Sequence, residues 1–141
     1  MKNHGFIRVA AAVPQVGVAD TTYNTKEICR LIDEAHKSGV SLLTFPELSV
    51  TGCTCGDLFK HQVLLAKAEE GIKIIAEHSR GKSCVIIAGA PVSHCGRIYD
   101  CAVVLRNGHI LGLVPKTSGG DIFASGKNIP SDRIIYAGHE C

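Results

Sequence analysis

The stretch Val40-Ser41-Leu42-Leu43-Thr44-Phe45-Pro46-Glu47-Leu48 is the segment of the chain that most strongly indicates its fold. Residues 40–45 form an apolar run that predicts a buried strand, and Glu47 follows at its exit. A carboxylate in this place is costly to desolvate unless it is paired, hydrogen-bonded or used in chemistry. Glu47 is therefore either a helix-capping or ion-pairing residue, or a general base whose pKa is raised by its apolar setting.

The residues before this stretch predict a strand–helix–strand unit. Residues 7–13 are apolar and end at Pro14, which indicates a first strand. Residues 25–38 place apolar side chains at helical spacing, and Gly39 suits a helix end. Such a connection favours two parallel strands joined by a right-handed crossover.

The second half of the chain predicts one more helix and an antiparallel hairpin. The helix is expected over 58–78 and a buried strand over 85–89. Asn107-Gly108 lies between strand-like runs at 99–105 and 109–114, a strong hairpin signal, and 134–137 predicts a short last strand. The fold class is therefore mixed α/β.

Lys116 occupies a position like that of Glu47, because it follows the apolar run Leu111-Gly112-Leu113-Val114-Pro115. It is either a solvated lysine or an ammonium group that stabilises a developing oxyanion. Two opposite charges, each at the end of a hydrophobic strand, indicate a functional site. A nucleophile is the group that this site still needs.

Composition narrows the class of protein. A chain of 141 residues that is 45% hydrophobic and 20% charged predicts one globular domain over residues 1–141. A net charge of +2 gives no reason to expect a nucleic acid or a membrane as partner. No apolar run approaches the ~20 residues that span a bilayer, and residues 1–5 lead into the first strand without a signal-peptide pattern. We expect a cytoplasmic protein.

The cysteines and glycines predict neither a metal site nor a nucleotide site. Seven cysteines are an odd number, and those within apolar runs are expected to pack as small hydrophobic residues. Cys53-Thr54-Cys55 lacks the paired spacings of zinc sites, so no metal is predicted, and either thiol is a weak candidate nucleophile. Neither G-x-G-x-x-G nor a Walker sequence is present, so no cofactor is expected in this chain.

Four segments together resemble the nitrilase (carbon–nitrogen hydrolase) superfamily. They are 9–18, Leu43-Thr44-Phe45-Pro46-Glu47-Leu48, Thr51–Phe59 and Val114-Pro115-Lys116-Thr117. The third is similar to the N-terminal glutaminase domain of glutamine-dependent NAD synthetases. The resemblance implies part of an αββα sandwich, here a mixed sheet with helices packed on one face. It implies Glu47 as general base and Lys116 as transition-state stabiliser, acting on glutamine with a cysteine nucleophile. ATP and magnesium are expected only in the separate synthetase domain, which would use the ammonia.

Three features depart from that family pattern. No strand-to-turn motif bearing the nucleophilic cysteine follows Lys116, and His139-Glu140-Cys141 is a poor substitute. Ser118-Gly119-Gly120-Asp121 stands where a longer aromatic-rich loop is usual, and Cys53 stands where an aromatic residue is common. We therefore expect the N-terminal portion of a glutaminase domain without its nucleophile.

Such a portion would leave sheet surface uncovered and is expected to self-associate as a homo-oligomer or to be marginally stable. A monodisperse monomer in sedimentation would contradict this expectation. Two alternatives stay open at this point. One is another amidase of the superfamily, with a different amide or nitrile as substrate. The other is a non-catalytic assembly or binding module in which Glu47 and Lys116 form a structural ion pair.

Overall fold

A computed structural model describes residues 5–130 and 133–141; residues 1–4, considered above for a signal-peptide pattern, lie outside that range. The strands and helices, in chain order, are β1 (Val9–Ala11), α1 (Thr21–Lys37), β2 (Leu42–Thr44), α2 (Gln62–His78), β3 (Val85–His94), β4 (Arg97–Arg106), β5 (His109–Pro115), β6 (Ile135–Tyr136) and β7 (His139–Glu140). Short 3₁₀ helices occupy Gly56–Lys60 and Gly126–Asn128.

The first five strands form one mixed sheet in the order β1-β2-β3-β4-β5. The pairs β1–β2 and β2–β3 are parallel, whereas β3–β4 and β4–β5 are antiparallel. The predicted parallel pair around α1 and the predicted hairpin at Asn107-Gly108 are both confirmed. Asn107 and Gly108 have φ angles of 48° and 85°, as a tight hairpin turn with two left-handed residues requires.

A second hairpin, between β3 and β4, was not predicted. Its turn residues Cys95 and Gly96 also have positive φ angles, 48° and 72°. Cysteine is not a typical residue for such a turn, so the sequence signal was weak. Because of this turn, β3 extends to His94 instead of ending near residue 89, and it pairs along its length with β4.

The core lies between the sheet and the two helices. Its fully buried side chains come from α1 (Ile28, Ile32), α2 (Ala68, Ile72, Ile75, Ala76) and the strands (Ile86, Ala88, Ala90, Val103, Leu105). Each buried Ile or Leu contributes roughly 1.5–3 kcal/mol through apolar burial. The helices therefore pack on one face of a mixed sheet, as predicted. The strands also carry exposed apolar side chains, with Val9 59% and Val114 60% exposed.

Both helix starts differ from the sequence prediction. The first helix starts at Thr21, not at residue 25, because the Asp20 side chain caps it by accepting a hydrogen bond from the Tyr23 N–H. The second starts at Gln62, not at Leu58, because His61 has extended backbone angles and separates it from the preceding 3₁₀ turn. The predicted strand over 134–137 is present as β6, and β7 pairs with it.

Candidate active site

Glu47 lies in a loop that crosses directly over β3 at Gly89. A Cβ atom placed on Gly89 would lie 2.3 Å from the Leu48 nitrogen and 2.6 Å from the Pro46 oxygen, closer than atoms can approach. The backbone on both sides of Glu47 thus rests on a strand position that has no side chain. This contact fixes the height of Glu47 above the sheet.

Hydrogen bonds hold the same loop in place. The Val50 N–H donates to the Gly89 carbonyl at 3.2 Å, and the Gly89 N–H donates to the Ser49 hydroxyl at 3.2 Å. The buried Asn24 amide of α1 donates to the carbonyls of Val50 and Gly17. The loop that carries Glu47 is therefore tied both to β3 and to the first helix.

Lys116 directly follows β5 and is held by the neighbouring strand. Its backbone N–H donates to the Asp100 carbonyl at 2.8 Å, and its carbonyl accepts from the Gly126 N–H. Its ammonium group donates a hydrogen bond to Glu47 Oε1. The structure thus brings together the two residues that the sequence singled out, across 69 positions of the chain.

A third charged residue at this place, Asp100 of β4, was not singled out from the sequence. Its Oδ2 atom lies 4.0 Å from the Lys116 ammonium group, which is also the group that contacts Glu47. A signal was present, since Asp100 is a carboxylate inside the apolar run 98–105. Such a residue on a central strand needs a partner.

Burial divides the three side chains into two kinds. Asp100 is only 6% exposed, whereas the side chains of Glu47 and Lys116 are about half exposed, at 51% and 52%. Burial, followed by the hydrogen bond to Glu47 and its charge, raises the pKa of Asp100 to about 7. Hydrogen bonds from Asp100 and Lys116 lower the pKa of Glu47, so the rise expected from an apolar setting is wrong, because Glu47 is about half exposed and faces an ammonium group. The hydrogen bond with Glu47 raises the pKa of Lys116. At neutral pH Glu47 is a carboxylate and Lys116 an ammonium group.

Two open cavities meet at these residues. One, of about 480 Å³, is lined by Glu47, Gly89, Asp100, Lys116 and neighbouring apolar residues. The other, of about 350 Å³, is lined by Asp100, Lys116 and the loop 118–123. Asp100 and Lys116 belong to both linings, so a small molecule in either cavity would contact the charged group. A larger cavity of about 570 Å³ lies between α1 and α2, away from these residues.

All seven cysteines are free thiols. Cys101 is the one cysteine among the residues that line the 480 Å³ cavity. Because it follows Asp100 on the strand, its side chain points to the opposite face of the sheet, where it is buried in the core. Burial raises the pKa of Cys101 to about 12, so its reactive thiolate form is suppressed. The candidates Cys53, Cys55 and Cys141 line neither cavity.

Residues 5–130 and 133–141 contain no group of three or more His, Cys, Asp or Glu side chains placed to hold a metal ion. Within the same residues, no helix has both the length and the apolar character needed to cross a bilayer.

The fold agrees with a comparison of the sequence with known protein families. Residues 8–123 match the model of the carbon–nitrogen hydrolases. The chain belongs to the carbon–nitrogen hydrolase family.

Within this family, the chain is similar to glutamine-dependent NAD(+) synthetases. It is 34% identical to that of Mycobacterium leprae over 115 residues, which cover 82% of the chain and 17% of the relative. It is 28% identical to that of Aquifex aeolicus over 99 residues, again 17% of the relative. This chain therefore spans about one sixth of the length of these curated relatives.

Two solved structures have the same fold as this chain. The glutamine-dependent NAD(+) synthetase of Cytophaga hutchinsonii superposes with a TM-score of 0.86 at 25% identity, covering 95% of this chain and 24% of that one. A variant of the amidase from Nesterenkonia sp. AN1, in complex with acrylamide, superposes with a TM-score of 0.74 at 16% identity, covering 99% and 55%. The nitrilase-type mixed sheet with helices on one face is thereby established for this chain.

The close approach at Gly89 predicts the effect of adding one methyl group. Gly89→Ala forces the loop away from β3 and should lower the free energy of unfolding by roughly 1–3 kcal/mol, the usual range for overpacking. It should also separate Glu47 from Lys116. Urea denaturation measures the first effect, and a crystal structure of the variant measures the second.

Gly112→Ala on β5 is the matched control, because a Cβ at Gly112 meets nothing within 4 Å. We expect it to leave both stability and the contact between Glu47 and Lys116 unchanged. Equal effects of the two substitutions would show that the crossing at Gly89 does not position Glu47.

Proposed function

We propose that this chain supplies the base and the lysine of a glutaminase site, which hydrolyses the side-chain amide of glutamine. The observation that carries the proposal is the contact between Glu47 and Lys116 at the meeting point of two open cavities. The similarity to glutamine-dependent NAD(+) synthetases supports glutamine as the substrate.

In the proposed mechanism, Glu47 accepts the proton of a nucleophilic thiol, which attacks the amide carbon of glutamine. Lys116 donates hydrogen bonds to the oxyanion that forms. The C–N bond of the tetrahedral intermediate then breaks, the proton held by Glu47 goes to the departing nitrogen, and ammonia leaves a thioester. Water, deprotonated by Glu47, hydrolyses the thioester to glutamate and restores the thiol.

The thiol of this mechanism is proposed to lie outside the seven cysteines of this chain. The position of Cys101 on the core face of β4 supports this, as does its raised pKa. Ammonia would pass to a synthetase domain of the kind present in the relatives, where ATP and magnesium would act. A cytoplasmic location is proposed because seven unpaired thiols suit a reducing compartment.

Binding of glutamine tests the proposal without requiring turnover. We expect saturation-transfer NMR to detect glutamine on this chain. Glu47→Gln and Lys116→Met should each weaken binding at least about fivefold, since a hydrogen bond to a charged group is worth roughly 1.5–3 kcal/mol. The control is the equally exposed pair Lys67 and Glu70 on α2, with Lys67→Met and Glu70→Gln expected to bind as the parent does.

Absence of glutamine binding, or equal loss in both pairs of variants, would refute the proposed function. Intact mass after incubation with 6-diazo-5-oxo-norleucine, a reactive glutamine analogue, tests the thiol separately. We expect no cysteine adduct that depends on Glu47. A single adduct that Glu47→Gln abolishes would place the nucleophile within this chain.

A further inference from the structure

Asp100 is the buried charged residue of the site, and the proposed mechanism does not use it. It lies on β4 between Tyr99 and Cys101, both buried, and is itself 6% exposed. Its register opposite Pro91 places it on the same face as Ala102 and Gly89, the face over which the Glu47 loop crosses. Its remaining exposed surface lines both cavities.

The groups around Asp100 come from four segments. Glu47 reaches it from the loop after β2, and Lys116 from the end of β5 at 4.0 Å. Asp121, on the loop after β5, lines the second cavity with it. The Cys101 thiol points to the other face of β4. Two carboxylates thus share one ammonium group, and the buried carboxylate is poorly solvated.

This arrangement favours one proton held between the two carboxyl groups. Two negative charges beside one ammonium group resist joint ionisation, and burial selects Asp100 as the group that stays neutral. A protonated Asp100 has one O–H donor, and the Glu47 carboxylate is an acceptor within reach. The raised pKa of Asp100 and the lowered pKa of Glu47 agree in direction with this assignment.

We propose that Asp100 is a positioning residue: protonated, it donates a hydrogen bond to Glu47 and holds the Glu47 carboxylate ionised and directed at Lys116. This inference rests on the proposed function only for the role that it gives Asp100, which is to keep Glu47 ionised as the general base. The geometry that supports it is the placing of both carboxylates beside the Lys116 ammonium group, with Asp100 buried.

Asp100→Asn is the informative variant, because an asparagine has the shape of a neutral aspartic acid and keeps a donor. It should preserve the contact with Glu47 at every pH. Asp100→Ala removes the donor and should release Glu47. Glu47→Gln removes the neighbouring negative charge and should allow Asp100 to ionise more readily.

Carbon-13 NMR of the chain labelled at aspartate carboxyl groups locates the proton directly. In the parent we expect one aspartate to titrate near pH 7, and that resonance to be absent from Asp100→Asn. In Glu47→Gln the midpoint of the same resonance should fall by at least about one pH unit, because a neighbouring charge is removed. If every aspartate of the parent titrates below about pH 5, the proposal is overturned.

Stability gives a second readout that does not depend on glutamine. The pKa of Asp100 is raised in the folded state from an ordinary 3.8 to about 7, so folding favours the protonated form. The stability that this group contributes is full below pH 3.8 and is lost as the pH rises towards 7. Relative to Asp100→Asn, the parent should therefore unfold at progressively lower urea concentrations between pH 4 and pH 8. A constant difference across this range would contradict the proposal.

Glutamine affinity then separates this inference from the proposed function. If glutamine binds, Asp100→Asn should retain the affinity of the parent within about twofold at pH 6, whereas Asp100→Ala should lose at least about fivefold. An equal loss in both variants would overturn the positioning role. If glutamine binds to no variant, the proposed function fails, while the NMR titration still decides where the proton lies.

Discussion

The site depends on one steric constraint, which is the contact between the backbone at residues 46–48 and the bare Cα of Gly89. Gly89 lies on β3, where the parallel part of the sheet changes to the antiparallel part. Residues after β2 can cross this strand only because no side chain stands in the way. The same contact places Glu47 above β3, within reach of β4 and of the end of β5. The contact between Glu47 and Lys116 depends on that crossing.

Electrostatics supports the proposal of a functional site over the alternative of a structural ion pair. Glu47 and Lys116 are each about half exposed, and ion pairs this exposed add little to stability because solvent screens them. Asp100 is buried beside them, and its ionised form is unfavourable there. The presence of this carboxylate therefore lowers the stability of the fold. Open cavities on both sides leave the ammonium and carboxylate groups accessible to a small molecule. These are properties expected of groups used for binding and chemistry.

Much of the fold could be predicted from the sequence because its signals are local. The helix end at Gly39 and the Asn107-Gly108 hairpin depend on residues with a left-handed backbone preference, and both are present. The start of α1 was placed too late because its cap, Asp20, precedes the apolar pattern. The turn at Cys95-Gly96 was missed because the conformation at Cys95 is imposed by pairing of the long strands β3 and β4. Self-association through the exposed apolar surface stays a prediction.

The site could be predicted in part. The resemblance to a family, together with the places of Glu47 and Lys116 at strand ends, identified two members of the charged group. That the two would meet depends on strand order, which local pattern does not determine. Asp100 was missed because its role comes from a neighbour 53 positions away in the chain, although its place within an apolar strand was visible. The crossing at Gly89 depends on tertiary contact alone.

The central claim is that Glu47 and Lys116 serve chemistry and not the stability of the fold. A double-mutant cycle on the free energy of unfolding, with Glu47→Gln, Lys116→Met and the double variant, tests it most directly. The predicted result is that the two single effects are small and add within experimental error at neutral pH. A strong favourable coupling between them, comparable with that of a buried ion pair, would show instead that the pair is a structural element of the sheet.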